Sequence, residues 1–294
     1  MTPRAVAVII TSMTHDPAYE LVDLGGAARL ERFGDRIVDR PHPAALGARA
    51  DAEAWRAADL RFDRERGWTG PRATDDRWSI ELGALTMELR PTEAGQVGLF
   101  PEHLAMLPWL AARVAERSTE RTMPAVLNLF AHTGLATLAL AVVGASLTHV
   151  DASRPTVAWA RRNADASGLA ARPIRWIVDD ALEFTRREAR RDRRFAGVIL
   201  DPPSYGHGPG ARPWSLEADL APLLAAVARV LEPDGFVLLT AHTPSFDARR
   251  LAAMLGQALG RPDTAVARGD LSLTTADGRR LELGAFARTA GGAS

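Results

Sequence analysis

From Ala125 onward the chain alternates between strand-length apolar runs and helix-length segments, and this alternation constrains the fold more than any other feature. The runs are Ala125–Phe130, Leu147–Asp151, Ile174–Val178, Gly197–Leu200 and Phe236–Thr240. Between them lie candidate helices at Leu135–Val143, Pro155–Ala166, Ala181–Arg191 and Leu216–Leu231. A run that is apolar at nearly every position belongs to a strand covered on both faces, and a helix-length crossover joins parallel neighbours with right-handed connections. A further helix is expected over Phe246–Leu259. Two last runs, Ala265–Leu273 and Arg280–Ala287, flank Asp277-Gly278, a hairpin signal. The expected fold is therefore α/β, with a mostly parallel sheet ending in a C-terminal antiparallel hairpin. Thr289–Ser294 reads as a frayed tail.

The first part of the chain is punctuated differently. Tyr19–Asp23, Arg36–Asp39, Trp78–Leu82 and Leu85–Leu89 read as short strands bounded by glycine and proline, with one short helix over Ala50–Asp59. This divides the chain into a small β-rich N-terminal domain at 1–92, a linker with a helix at 93–124, and the α/β domain at 125–294. There is no internal repeat and no low-complexity tract.

Composition limits the chemistry. The 294 residues are 47% hydrophobic, enough for one large domain or an ordinary domain plus a small one. Basic and acidic residues number 36 each, so the net charge is zero, which argues against a partner held by bulk charge alone. Cysteine is absent, which excludes disulfides, thiolate metal sites and a thiol nucleophile in this chain. Every basic residue is arginine, so Schiff-base and lysine-base chemistry are excluded too. No metal is expected. Met1–Thr11 is too short for a membrane span and lacks a cleavage signal, and no other stretch approaches the roughly 20 apolar residues a span requires, so a cytoplasmic protein is expected.

Ligands of open α/β sheets sit at the carboxyl ends of the strands. The first run leads into Asn128-Leu129-Phe130-Ala131-His132-Thr133-Gly134, where amides at a helix start can approach a ligand; a plain strand-to-helix turn fits equally. The second ends at Asp151-Ala152-Ser153. A carboxylate there accepts both hydroxyls of a ribose, or it caps the helix before Pro155. The third ends at Asp179-Asp180-Ala181, where Asp180 either meets an adenine amine or caps the next helix. The fourth ends in Asp201-Pro202-Pro203-Ser204-Tyr205. Its consecutive prolines lock an extended turn straight after a buried strand, Asp201 and nearby carbonyls can accept from a planar amine, and Tyr205 can stack on a ring.

These four strand ends resemble those of class I S-adenosylmethionine-dependent methyltransferases, whose Rossmann-like seven-stranded sheet ends in the same hairpin. The likeness is strongest to the bacterial family related to large-subunit ribosomal RNA cytosine methyltransferases. It extends to Gly95-Gln96-Val97-Gly98-Leu99-Phe100-Pro101-Glu102 and, for one branch, to Tyr19–Gly26 with Leu30–Gly34. The resemblance implies S-adenosylmethionine as methyl donor and S-adenosylhomocysteine as product. It implies that Asn128, Phe130, Thr133 and Gly134 hold the methionine end, Asp151 with Ala152 the ribose, and Asp180 with Ala181 the adenine. Asp201, Pro202, Pro203 and Tyr205 would line the meeting point of methyl group and acceptor. Phe100, Pro101 and Glu102 would close over the donor from the segment at 93–124, with His103 standing where glutamine is expected.

The family's cytosine carbon chemistry adds a thiolate to the ring, and this chain has none. Direct transfer to a nitrogen needs only an oriented lone pair. The expected substrate is RNA, with the arginine run at Arg186, Arg187, Arg190, Arg191, Arg193 and Arg194 either helping to bind it or forming a solvated helix end. A small-molecule acceptor is the alternative. A nicotinamide-dependent oxidoreductase lacks support, because there is no glycine-rich fingerprint, and a non-catalytic RNA-binding relative is disfavoured by the intact Asp201 corner.

Overall fold

The structure, a computed structural model, describes residues 18–74, 77–119, 122–207 and 213–291. The reading of Met1–Thr11 lies outside the described residues. Among them, no helix is long and apolar enough to cross a membrane. The chain groups into two compact units. Of the described residues, one comprises Ala18–Ala105 together with Ser272–Leu283, and the other comprises Met106–Leu271 with the residues from Gly284 onward.

The N-terminal unit is built from β1 (Tyr19–Gly25), β2 (Ala28–Phe33), β3 (Arg36–Pro41), helix α1 (Ala52–Arg56), β4 (Leu60–Asp63), β5 (Gly67–Thr69), β6 (Trp78–Leu82) and β7 (Leu85–Leu89). Strands β1 to β5 form one sheet in chain order, and β6 with β7 form a separate hairpin. The helix expected over Ala50–Asp59 is shorter than that segment, because Asp51 caps it through the amides of Glu53 and Ala54. Strand β2 carries Arg29 and Glu31 into the interior, where they are 5% and 0% exposed. Arg40 Nε on β3 donates to Glu31 Oε2 at 2.8 Å, Tyr19 Oη donates to Glu31 Oε1 at 3.1 Å, and Arg40 Nη1 donates to Gln96 Oε1 at 2.8 Å. Burial pushes the Glu31 carboxyl up, and the Arg29 and Arg40 guanidiniums outweigh it and hold it below the usual range. Each member of this cluster compensates another, as buried charges require.

A short 3-10 helix, Pro101–Met106, leads into α2 (Leu107–Arg117), which buries the single stripe Leu107, Leu110, Ala111 and Val114. Then follow β8 (Ala125–Leu129), α3 (Leu135–Val142), β9 (Ser146–Asp151), α4 (Arg154–Ala166), β10 (Ile174–Val178), α5 (Ala181–Arg190) and β11 (Phe195–Leu200). A small antiparallel flap, β12 (Tyr205–His207) against β13 (Pro213–Ser215), comes next. The chain continues through α6 (Leu216–Val230), β14 (Leu231–Ala241), α7 (Ala248–Leu259), β15 (Ala267–Thr274) and β16 (Arg280–Thr289). The large sheet has the order β10-β9-β8-β11-β14-β16-β15. Its first five strands are parallel and β16 runs antiparallel to β14, so the expected Rossmann-like sheet with a terminal hairpin is present.

Two expectations change. Thr289 is not part of a frayed end: it closes β16, is 1% exposed, and accepts from Arg261 Nη1 at 2.8 Å. Phe130 is not a strand residue, because its φ of 54° turns the chain out of β8.

The order of strands locates the site. The chain runs from β8 outward through β9 to β10, then returns to the other side of β8 with β11. The direction of winding therefore reverses between β8 and β11, and a crevice opens at the carboxyl ends there. Beneath it lies a continuous core that includes Leu127, Leu129, Val198, Leu200, Val237 and Leu239, all 0% exposed.

Candidate active site

The parallel register sets five strand ends at one level. Val178 pairs with Asp151, Leu129 with Val150, and Leu200 with both Leu129 and Leu239. At about 4.8 Å per strand this edge extends about 19 Å from β10 to β14. Asp180, Asp151, the Phe130–Gly134 loop and Asp201 occur in that order along it.

The loop after β8 is held in an unusual conformation. Phe130 and His132 have φ of 54° and 49°, and Gly134 has φ of 95°. A β-carbon on Gly134 would lie 3.2 Å from Ala160 Cβ, so glycine is required both for its dihedral and for the close approach of α4. Two contacts stabilise the loop: Ala131 N donates to the Val150 carbonyl at 3.1 Å, and His132 N donates to Asp151 Oδ2 at 2.9 Å. Thr133 is 2% exposed, and its carbonyl accepts from Asn163 Nδ2 at 2.9 Å.

Asp151 does not cap α4; Ser153 does, through the Thr156 amide. Asp151 instead accepts the His132 amide on one oxygen and the Ser153 amide, at 2.9 Å, on the other. These two bonds use two of about four lone-pair sites on a carboxylate. Asp180 is the N-cap of α5: its Oδ1 accepts from Glu183 N at 2.9 Å, which leaves Oδ2. Ala152 is half-buried and Ala181 is buried.

The Asn128 side chain is turned away from the crevice. It is 3% exposed and its Nδ2 donates to Thr137 Oγ1 at 2.9 Å, while that hydroxyl lies 3.0 Å from His149 Nδ1. The side chain belongs to a buried polar chain between β8, α3 and β9, so it points into the core. Burial, with His132 nearby, pushes His149 down to about 3.

At the end of β11, Asp201 lies beside the end of β14. Thr240 Oγ1 is 2.5 Å from Asp201 Oδ1, and His242 Nε2 is 3.2 Å from the same oxygen. Pro202 is buried, while Pro203 is exposed. Trp214 Nε1 on the flap donates to the Pro203 carbonyl at 2.7 Å, and its ring lies 4.9 Å from that of Phe130. Leu216 N donates to the Ser204 carbonyl at 3.0 Å. The corner is thus pinned by hydrogen bonds, while Tyr205 is 80% exposed. Thr240, His242 and Trp214 were not anticipated from the sequence. The signal for the first two was present: the rule used at four strand ends applies equally to Leu239-Thr240-Ala241-His242 at the fifth.

Phe100, Pro101 and Glu102 belong to the N-terminal unit. Pro101 begins the 3-10 helix, Glu102 is 4% exposed, and the Phe100 ring lies 6.0 Å from His103. The arginine run on α5 is largely paired with acids: Arg186 with Glu183 at 2.7 Å, Arg191 with Glu188 at 2.9 Å, and Arg187 with Asp179. It reads as a solvated helix end.

No family model matches the chain. Among curated proteins it is 30% identical over 165 residues to the ribosomal RNA large subunit methyltransferase K/L of Magnetococcus marinus, covering 55% of this chain and 22% of that protein. It is 35% identical over 122 residues to the protein of the same name from Methylococcus capsulatus, covering 41% of this chain and 16% of that one. The chain therefore spans less than a quarter of the length of these relatives. Among solved structures, the S-adenosylmethionine-dependent methyltransferase from Agrobacterium tumefaciens is 33% identical, superposes with a TM-score of 0.86, and covers 93% of this chain and 90% of its own. A likeness of that identity over nearly both full lengths, on a sheet whose acidic strand ends and proline corner face one crevice, shows that the chain belongs to the S-adenosylmethionine-dependent methyltransferases.

Proposed function

We propose that this chain transfers a methyl group from S-adenosylmethionine to a nitrogen of an RNA base, at the corner formed by Asp201, Pro202, Pro203 and Tyr205. The observation that carries the reading is the geometry of that corner. A carboxylate is held at the topological switch point, two prolines follow it, and an exposed aromatic ring stands beside it.

The donor's place follows from chemistry. Asp151 keeps lone pairs for the ribose hydroxyls, Asp180 Oδ2 serves the adenine amine beside Ala181, and the strained Phe130–Gly134 loop borders the methionine end. When bound, S-adenosylmethionine supplies an electrophilic methyl group on a sulfonium. The acceptor amine donates a hydrogen bond to Asp201 and stacks its ring on Tyr205, which orients the nitrogen lone pair toward the methyl carbon. The N–C bond forms as the C–S bond breaks, the sulfur keeps that electron pair, and the nitrogen's proton passes to Asp201 and then to water.

RNA is favoured over a small molecule because Tyr205 is an open stacking face and not the wall of a closed pocket, and because the curated relatives are named for ribosomal RNA. The absence of cysteine supports nitrogen over cytosine carbon.

Tritiated S-adenosylmethionine offered with bacterial total RNA and with a metabolite extract tests the reading. Label in RNA, recovered after digestion as an N-methylated nucleoside, is expected. Label confined to metabolites overturns the RNA substrate, and label on a base carbon overturns the nitrogen chemistry. A rise in melting temperature with S-adenosylhomocysteine and not with NAD is expected alongside.

A further inference from the structure

The end of β14 and the two residues beyond it carry three polar side chains that reach the corner. Thr240 and His242 are two apart on an extended chain, so they present to the same side. Thr240 Oγ1 lies 2.5 Å from Asp201 Oδ1 and 3.2 Å from the Leu200 carbonyl, and the residue is 3% exposed. His242 Nε2 lies 3.2 Å from Asp201 Oδ1. Thr243 Oγ1 lies 2.5 Å from Ser204 Oγ, at the far side of the two prolines. The parallel pairing of Leu200 with Leu239 creates this arrangement, because it places the first residues beyond each strand side by side.

We propose that Thr240 and His242 are positioning residues for methyl transfer, acting through Asp201. The inference rests on the reading of Asp201 as the group that faces the acceptor. A carboxylate at a strand end turns about two side-chain bonds. Two contacts on one oxygen fix both of those torsions and so fix the plane in which the carboxylate meets an amine. The Thr240 hydroxyl is the stronger of the two, because a buried donor to a carboxylate makes a charge-assisted bond. His242 brings a ring nitrogen to the same oxygen, and the Ser204–Thr243 pair holds the peptide that carries both prolines. The contacts of Thr240 run to Asp201 and the Leu200 carbonyl, and that of His242 to Asp201, so their loss acts on the acceptor step.

The test uses the full chain, tritiated S-adenosylmethionine and total RNA or metabolite extract, whichever takes label. Thr240→Val removes the hydroxyl at constant shape, and Thr240→Ser restores it. His242→Leu removes the ring donor, and His242→Gln keeps one. Thr240→Val and His242→Leu are expected to lower kcat on the order of 10²-fold, as a misplaced reacting group does. KM for S-adenosylmethionine and Kd for S-adenosylhomocysteine should stay within about threefold, the pattern of an interaction made only in the transition state. The Ser and Gln variants should recover most of the rate. Asp201→Ala runs in parallel. If it transfers label at the wild-type rate, the reading of the corner itself fails. If it is inactive while Thr240→Val and His242→Leu keep wild-type kcat, this inference alone fails. Loss of rate together with donor affinity, without rescue by Ser or Gln, also overturns it, because that marks a structural role. Where neither extract takes label, the His242 ring nitrogen resonances in the S-adenosylhomocysteine complex decide. A shift on Asp201→Asn and on Thr240→Val supports the coupling, and unchanged resonances overturn it.

Discussion

Arg279 Nη2 lies 2.6 Å from Asp23 Oδ1, so the turn between β15 and β16 is fastened to the first strand of the N-terminal sheet across 256 positions of sequence. Asp23 is 1% exposed and also accepts the amides of Ala50 and Asp51 and the Trp55 indole at 2.9, 3.0 and 2.6 Å. Leu21, Leu24, Ala45, Leu281 and Leu283 pack around the same junction. One carboxylate thus gathers β1, α1 and the hairpin tip.

The Asp23 contact has a pH signature. Burial pushes the carboxyl up, and bonds from the Asp51 amide, Trp55, Arg279 and the Leu24 amide outweigh it, leaving about 2 against 3.8 when unfolded. A lowered folded value gives stability that is present above 3.8 and lost as pH falls through about 2. Its size is about 2 kcal/mol. Urea unfolding of Asp23→Asn should show that deficit at pH 7, and a narrower gap to wild type at pH 3. A gap that stays constant with pH contradicts the assignment.

His149 predicts a second acid effect by a different route. It is 0% exposed and stays neutral down to about 3, while the unfolded chain takes up a proton at 6.5. Stability is therefore full above 6.5 and falls as pH drops through that window, by about 1.4 kcal/mol per pH unit once well below 6.5. His149→Gln cannot charge, so its stability profile between pH 6 and 4 should be flatter than that of wild type. Parallel profiles would remove His149 as the cause.

Gly134 has a φ of 95° and an Ala160 neighbour 3.2 Å from its would-be β-carbon. Gly134→Ala should cost about 1–3 kcal/mol of stability, seen as a lower melting temperature. It should also weaken S-adenosylhomocysteine binding, because the loop after β8 has to shift. Unchanged melting and unchanged affinity would show that the loop does not need this conformation.

Asp151→Ala should raise the Kd for S-adenosylhomocysteine on the order of 10²-fold, the loss expected when charge-assisted bonds to two hydroxyls are removed. Calorimetric titration measures it. An affinity within a factor of about three of wild type would place the ribose elsewhere.

The parallel sheet was legible because its strands are apolar on both faces: Val126, Leu127, Val198 and Leu200 need no pattern beyond their own composition. Strand β2 was not legible. Ala28-Arg29-Leu30-Glu31-Arg32-Phe33 reads as a charged surface, yet Arg29 and Glu31 are interior, where Glu31 pairs with Arg29 and with Arg40 on β3. A buried ion pair is a tertiary fact that local alternation does not reveal. The strand-end acids could be found from the sequence, but how each was held could not. Asp151 needed the His132 amide, brought to it by a left-handed turn, and Asn128 was assigned to the donor although Thr137 and His149 close around its side chain. Thr240 and His242 lie about 40 positions from Asp201, and only the pairing of β14 with β11 makes them neighbours.

The central claim is that Asp201 faces the acceptor in a methyl transfer to RNA. Single-turnover transfer of a tritiated methyl group into total RNA, with wild type and Asp201→Ala each saturated with S-adenosylmethionine, tests it most directly. The account predicts N-methylated nucleoside from wild type and a rate lower by on the order of 10²-fold or more from Asp201→Ala, the scale of a lost orienting group. Transfer by Asp201→Ala at the wild-type rate would contradict it.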